Sequence, residues 1–299
     1  MTEVLRCGNM STIDETALIF EGGGMRAVVS AGVVVRLIET GLNFPLACGI
    51  SAGATHTFNY TSRDVWRAEN SFTSFVTDPN FGSWRTFVKG QGIFNTDYLY
   101  GEGCEPDGAY RFDFEAFHAS PTNVRISAFC VDTASPVYWN KADMPDLESA
   151  LRRAQASSTM PGFMPPVEID GATYVDGALG PSGGIPLDAA RLAGHERFVV
   201  VMTQPREYVK KRTNPAVFRA LFHDKPAVAD ALANRWRAYN HTRNQLLELE
   251  KQGKAFLFFP EKADLSNRET DIEKLEEYYN VSLEQADRWI EELQEWLQQ

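Results

Sequence analysis

The chain has 299 residues, room for one large α/β domain or two modest ones, and its 43 % hydrophobic and 12 % aromatic content supplies a core that a disordered chain would lack. A formal charge of −11 argues against nucleic acid as the main partner. That charge is uneven: residues 261–299 hold 12 acidic and 4 basic side chains, whereas residues 206–254 hold 11 basic and 5 acidic ones, which leaves an anionic surface open to the second stretch.

In chain order, Thr16 to Phe20 is a short apolar run that ends at glycine, the pattern of a buried strand. Gly22, Gly23 and Gly24 follow, and then Met25 to Thr40, apolar on nearly every side and closed by Gly41. Its length favours a helix, with Gly41 as the C-cap. Phe44 to Ile50 reads as a second strand and Ala52 onward as a helix. Residues 72–115 are rich in aromatics and glycine without clean periodicity; they are expected to form loops and short helices, either walling a pocket or joining the core.

Val124 to Val131 and Pro136 to Asn140 read as strands, Leu147 to Ser157 as a helix, and Thr173 to Val175 as a short strand running into Asp176. Ile185 to Ala193 is a helix and Phe198 to Met202 a buried strand. After Gln204 basic and helical residues run to Lys254, AFLFFP gives one more strand, and an acidic amphipathic helix follows. Alternating strands and helices predict an α/β fold with a mainly parallel sheet, whose sites gather at the carboxyl ends of the strands.

Several features exclude other classes. The four cysteines, Cys7, Cys48, Cys104 and Cys130, are far apart, fit no metal-ligand spacing, and are read as free thiols of a reducing compartment. MTEVLRCGNMSTIDET has no apolar core of a secretory leader. The uncharged run Thr40 to Ser62 is too polar to span a membrane. A cytoplasmic protein, with peripheral contact to lipid at most, is the expectation.

The chemistry concentrates in three places. Gly49-Ile50-Ser51-Ala52-Gly53 follows an apolar run and precedes a helix; in G-x-S-x-G both glycines relieve crowding at a tight strand-to-helix turn that throws the serine oxygen clear of the sheet. A second match, Gly180-Pro181-Ser182-Gly183-Gly184, follows no adequate strand and is read as a loop. Asp176-Gly177-Ala178 ends a strand, where a parallel sheet collects reactive groups. A serine hydroxyl needs a base. Of the five histidines, His56 falls five positions after Ser51 and should face away, while His118, His195, His223 and His241 lie in no recognisable setting. Asp176 can act directly if it sits beside Ser51. The glycine run then supplies bare amides for an oxyanion. A phosphate cradle fits less well, because no G-x-x-x-x-G-K-[ST] is present and Ala27 replaces the last glycine of G-x-G-x-x-G.

GGGMRA, GISAG and DGA, in that order, resemble the patatin-like phospholipase family. The resemblance covers roughly residues 15–205. It implies a three-layer α/β/α fold and a carboxylic ester hydrolase acting on lipid or acyl-ester substrates, with no metal or cofactor. It carries the nucleophile to Ser51 and the proton acceptor to Asp176, a dyad without histidine, framed by Gly49, Gly53, Gly177 and Ala178. It places the oxyanion hole at Gly22, Gly23, Gly24, Met25 and Arg26, with Ala27 where the family commonly has glycine. Residues 206–299 are expected to form a mostly helical extension packed on the catalytic domain. Within them the basic stretch 206–254 is read first as a solvated helical face and second as a face for anionic lipid; Arg235, Trp236 and Arg237 are its most interface-like residues, and the lipid reading expects salt-sensitive liposome binding. Three other readings stay open: an α/β-hydrolase with a Ser–Asp–His triad, a non-catalytic lipid-binding or interaction protein on the same scaffold, and a nucleotide-binding protein.

Overall fold

The computed structural model describes residues 11–82, 84–88, 90 and 92–299; Cys7 and the first ten residues of the stretch searched for a leader lie outside the described residues. Its centre is an eight-stranded sheet. The elements that position the site are β1 (Thr16–Phe20), α1 (Val28–Glu39), β2 (Leu46–Gly49), α2 (Ala52–Ser62), β3 (Asn123–Cys130), β4 (Ser135–Trp139), α3 (Leu147–Ser158), β5 (Val167–Ile169), β6 (Ala172–Asp176), α4 (Leu187–Leu192), β7 (Arg197–Val201), α5 (Pro226–Lys251), β8 (Ala255–Phe258) and α6 (Ile272–Trp296).

Strands β3, β2, β1, β7 and β8 run parallel side by side. Both faces of this block are covered, so its strands read as continuous apolar runs. Leu18, Phe20, Val199 and Val201 face one layer with α1 and α6, and Ala17, Ile19, Phe198 and Val200 face the other with α4 and α5. Helix α1 is apolar on nearly every side because it is sandwiched: one side lies on the sheet and the other meets α6, where the Ser282 hydroxyl donates to the Val29 carbonyl at 2.7 Å. The expected helix over Met25 to Thr40 starts later, since Gly24–Ala27 forms a 3-10 turn first.

The antiparallel part of the sheet decides the site. Strand β3 pairs with β2 over residues 123–126, with β4 over 126–130, and with β6 over 128–130. Since β4 shares residues with both of the others, β2 and β6 must lie on the same edge of β3. They meet head to head there, with Gly49 opposite Ile126, Asp176 opposite Ala128, and Ser127 between. Strand β5, paired antiparallel with β6, carried no signal in the sequence reading.

The segment beyond residue 205 is helical over Pro215–Leu221, α5 and α6, but it also gives the sheet its edge strand β8, hydrogen-bonded parallel to β7. Its hydrophobic side chains are continuous with those of the preceding residues: Phe258, Leu275, Trp289 and Leu293 share one cluster with Leu18 and Val34.

Candidate active site

Ser51 follows β2 with backbone angles φ 57 and ψ −127, the strained left-handed side of conformational space where a non-glycine residue is rare. The two flanking glycines make that turn possible. A Cβ on Gly49 would lie 2.1 Å from the Gly53 carbonyl oxygen, and a Cβ on Gly53 would lie 2.3 Å from that of Phe20. The Ser51 side is fixed from α3: the Ser157 hydroxyl accepts the Ser51 N–H at 3.0 Å and donates to the Ser127 carbonyl at 2.7 Å, plugging the gap between β2 and β6. No sequence motif marks Ser157.

Asp176 ends β6 across that gap. It is 3 % exposed and Ser51 is 9 % exposed. Burial pushes the Asp176 carboxyl above the ordinary carboxylate range, while the charge of Arg235, the Ala178 N–H (2.8 Å) and the Ser51 hydroxyl pull it back. None of the five histidines lines either cavity that Ser51 enters. His56 is buried on the far side of α2 against the Ala27 carbonyl and Ser30, and burial pushes it down to about 4. The Nδ1 of His195 lies 2.9 Å from the Glu15 carbonyl, and His223 is exposed beside Asp224. Ser182 is buried in a turn.

The expected oxyanion donors divide. The Gly22 N–H donates to the Gly184 carbonyl (3.0 Å) and the Met25 N–H to the Asn267 carbonyl (3.1 Å), so these two amides are engaged elsewhere. Among the described residues the amides of Gly23 and Gly24 form no hydrogen bond, and neither does that of Ala52 at the start of α2. Gly24 has φ +56, and a Cβ there would meet the Asn267 carbonyl oxygen at 2.4 Å, so glycine is required. The Arg26 side chain leaves the turn, its Nε donating to the Leu265 carbonyl at 3.0 Å. Ala27 is fully buried and fits where a glycine was the alternative.

Two cavities open on Ser51. One is an apolar slot of about 90 Å³ lined by Met25, Phe72, Phe75, Phe81, Phe94 and Leu99 among others. The aromatic stretch therefore serves both expected roles, because Phe72, Phe75 and Phe81 line the slot and belong to the core cluster. The other cavity, about 490 Å³, has a mixed lining that brings Ser51, Asp176, Glu21, Arg26, Lys210 and Arg235 together with apolar side chains such as Phe163, Leu179 and Phe222. Glu21 was missed in the sequence. It is buried at the end of β1, where it accepts from the Thr203 N–H (2.6 Å) and the Tyr239 hydroxyl (2.8 Å), clamping β1 to α5. Arg235, expected on an outward face with Trp236 and Arg237, instead turns into this cavity and donates from Nε to the Gly183 carbonyl at 3.3 Å. Arg237 lies over the Trp236 ring. Cys48, Cys104 and Cys130 are buried free thiols, no metal-holding cluster occurs among the described residues, and no described helix is long and apolar enough to cross a membrane.

Comparison with known proteins bears on both halves of the chain. A family model described as Patatin-like phospholipase matches residues 18–191, and one described as a domain of unknown function, DUF6363, matches residues 225–298. The uncharacterized protein YjjU of Escherichia coli strain K12 is 29 % identical over 194 residues, 64 % of this chain and 52 % of that protein, so the chain matches about half the length of this relative. Among solved structures, VipD from Legionella pneumophila aligns over 92 % of this chain and 67 % of its own at 11 % identity, with a TM-score of 0.44. The 18–191 match takes in the glycine turn, Ser51 and Asp176 together, and the chain belongs to the patatin-like phospholipase family.

Proposed function

We propose that the protein is a serine lipid acyl hydrolase in which Ser51 and Asp176 form a catalytic dyad. The observation that carries this reading is the head-to-head meeting of β2 and β6 on one edge of β3, which sets a strained serine against a buried carboxylate. Asp176 accepts the Ser51 proton as Oγ attacks the ester carbonyl. The tetrahedral oxyanion is received by the amides of Gly23 and Gly24, and one such donor is worth about 10²–10³ in rate. The alcohol leaves with the proton held by Asp176. Water, deprotonated by the same carboxylate, then cleaves the acyl-serine to free acid and serine. The apolar slot takes the first methylenes of the acyl group.

Two features support this over the other readings. A Ser–Asp–His triad lacks a histidine at either cavity. A purely lipid-binding scaffold has no use for the strain at Ser51, which costs about 1–3 kcal/mol. The test is labelling by a fluorophosphonate, with p-nitrophenyl ester hydrolysis alongside, in wild type, Ser51→Ala and Asp176→Asn. Labelling should vanish in the first variant and hydrolysis should fall by about 10²–10⁴ or more in the second. Full hydrolysis by folded Asp176→Asn would exclude the dyad, and absence of labelling in folded wild type would exclude the hydrolase.

A further inference from the structure

The apolar slot beside Ser51 does not stay apolar along its length. Among the described residues that line it, one side chain is charged, Arg67, and none is a carboxylate. Arg67 is 6 % exposed and stands in the short helix Val65–Asn70. It is held from behind by neutral acceptors: its Nε donates to Asn59 Oδ1 at 3.2 Å, and its Nη1 donates to the Tyr110 carbonyl and to Cys104 Sγ (3.7 Å). Among the described residues Arg67 enters no ion pair, and its Nη2 makes no hydrogen bond. Ser71, at the end of the same helix, also lines the slot. Its hydroxyl oxygen accepts from Asn59 Nδ2 at 3.3 Å, and among the described residues its proton goes to no partner.

The placement of these groups gives the slot a direction. Ser51 stands at the start of α2, Thr55 lines the slot one turn further on, and Asn59, which anchors Arg67, comes a turn after that. Residues four apart share one face of a helix, and a rise of about 1.5 Å per residue separates Ser51 from Asn59 by about 12 Å. The slot therefore runs along α2 with the nucleophile at one end and the guanidinium at the other. Its volume of about 90 Å³ is roughly three times the ~30 Å³ share of one water molecule in the liquid, which suits a short acyl group. A buried guanidinium without a counter-charge is costly, and an anion brought to it removes that cost. A methyl group in the same place does not.

We propose that Arg67 and Ser71 form a carboxylate-binding end to the acyl slot, so that the preferred substrates are esters of short dicarboxylic acids, joined to the alcohol through one carboxyl group and carrying the other free. This rests on the hydrolase reading above. The free carboxylate accepts from Arg67 Nη2 and the Ser71 hydroxyl, while the ester carbonyl at the other end meets Ser51 Oγ. The bond broken is the acyl–oxygen bond of that ester: the alcohol leaves with the proton taken from Ser51, water releases the acyl group from the serine, and the second carboxylate is untouched, so the product is the diacid. The alcohol portion lies in the larger cavity on the other side of Ser51. On a lipid, the acyl chain so recognised is one cut short and ending in a carboxylate; a full-length tail would set hydrocarbon against an unpaired guanidinium.

The experiment compares the p-nitrophenyl monoester of glutaric acid with p-nitrophenyl pentanoate, the uncharged acyl group of the same length, in wild type, Arg67→Met and Ser71→Ala. Wild type should prefer the glutarate ester about tenfold or more in kcat/KM. Arg67→Met should reduce that ratio about tenfold, mainly through KM. A structural role would lower both esters in parallel and leave the ratio unmoved, which would overturn the proposal, as would equal use of both esters by wild type. Ser71→Ala tests the same end of the slot with the Arg67 contacts in place, and it serves if Arg67→Met does not fold. It should reduce the ratio about threefold, and an unchanged ratio there overturns the proposal too. Calorimetry on Ser51→Ala separates failure of the subsite from failure of the chemistry. There free glutarate should bind about tenfold more tightly than pentanoate, even if wild type cleaves neither ester; no glutarate binding overturns the subsite even if esters are cleaved. Sulfate binding as tightly as glutarate would make Arg67 a general anion site and overturn the acyl assignment.

Discussion

Gly53→Ala is the sharpest test of the turn at Ser51. A methyl group there would stand 2.3 Å from the Phe20 carbonyl oxygen, 2.9 Å from the Phe20 carbonyl carbon and 3.0 Å from the Glu21 oxygen. All three are backbone atoms of the buried β1 end, so no side chain can swing aside. Ordinary contact begins near 3.4 Å, so α2 and β1 must separate by about 1 Å. Ser51 lies two residues before Gly53 and moves with it. Crowding of this kind costs about 1–3 kcal/mol of stability, and a 1 Å displacement of a reacting group costs about 10²-fold in rate. Urea unfolding reads the first effect and the second-order rate of fluorophosphonate labelling the second. Gly41→Ala is the control. Its φ of +70 also disfavours alanine, but nothing lies within 4 Å, so stability should fall by about 1 kcal/mol while labelling keeps its wild-type rate. Wild-type labelling by folded Gly53→Ala would refute the reasoning.

Two further outcomes follow from the same geometry. Ser157→Ala leaves the Ser51 N–H and the Ser127 carbonyl without their partner; each buried group left unpaired costs about 1–3 kcal/mol, so urea unfolding should show a clear loss, and unchanged stability would mean that the gap in the sheet is filled otherwise. Arg235→Gln removes the largest influence holding the Asp176 carboxyl down. In the proposed dyad Asp176 must be ionised to accept the Ser51 proton, so the acid limb of p-nitrophenyl ester hydrolysis should move to higher pH. An unmoved limb would separate Arg235 from the base. The linked stability has the matching sign: because the folded carboxyl lies above its unfolded value, its contribution is full at low pH and is lost as pH rises through the folded value. Arg235→Gln should carry that window upward.

Much of the site was readable because short-range sterics wrote it into adjacent residues. Gly49 and Gly53 are demanded by each other and by β1, and that demand survives as a five-residue spacing. The long apolar helix and the strands of the parallel block were readable for a similar reason, since burial on both faces leaves an unbroken run of valine, leucine and isoleucine. Ser157, Glu21 and Asn267 were not. Each acts on a group 106, 182 or 242 positions away, and a single serine, glutamate or asparagine has no local pattern to announce it. The amides of the glycine turn could not be sorted from the sequence, because which of them are engaged depends on Gly184 and Asn267. Arg235 misled for a related reason: composition showed a basic stretch, and only the packing of α5 reveals which of its cations turns inward. The short strand Val167–Ile169 was invisible because three residues with a glutamate in the middle carry too little periodicity.

The way the last third of the chain closes the glycine turn has a consequence for biosynthesis. The Met25 amide is satisfied by Asn267, β7 gains its outer neighbour from residues 255–258, and α1 is covered by residues 272–296. A chain still being translated can hold Ser51 and Asp176 long before it holds any of these. Synthesis must have passed Trp296 before the glycine turn has its full support. On the hydrolase reading proposed above, a chain assembled in that order would gain activity only after its apolar segments have emerged, and chains truncated before Trp296 would lack that support.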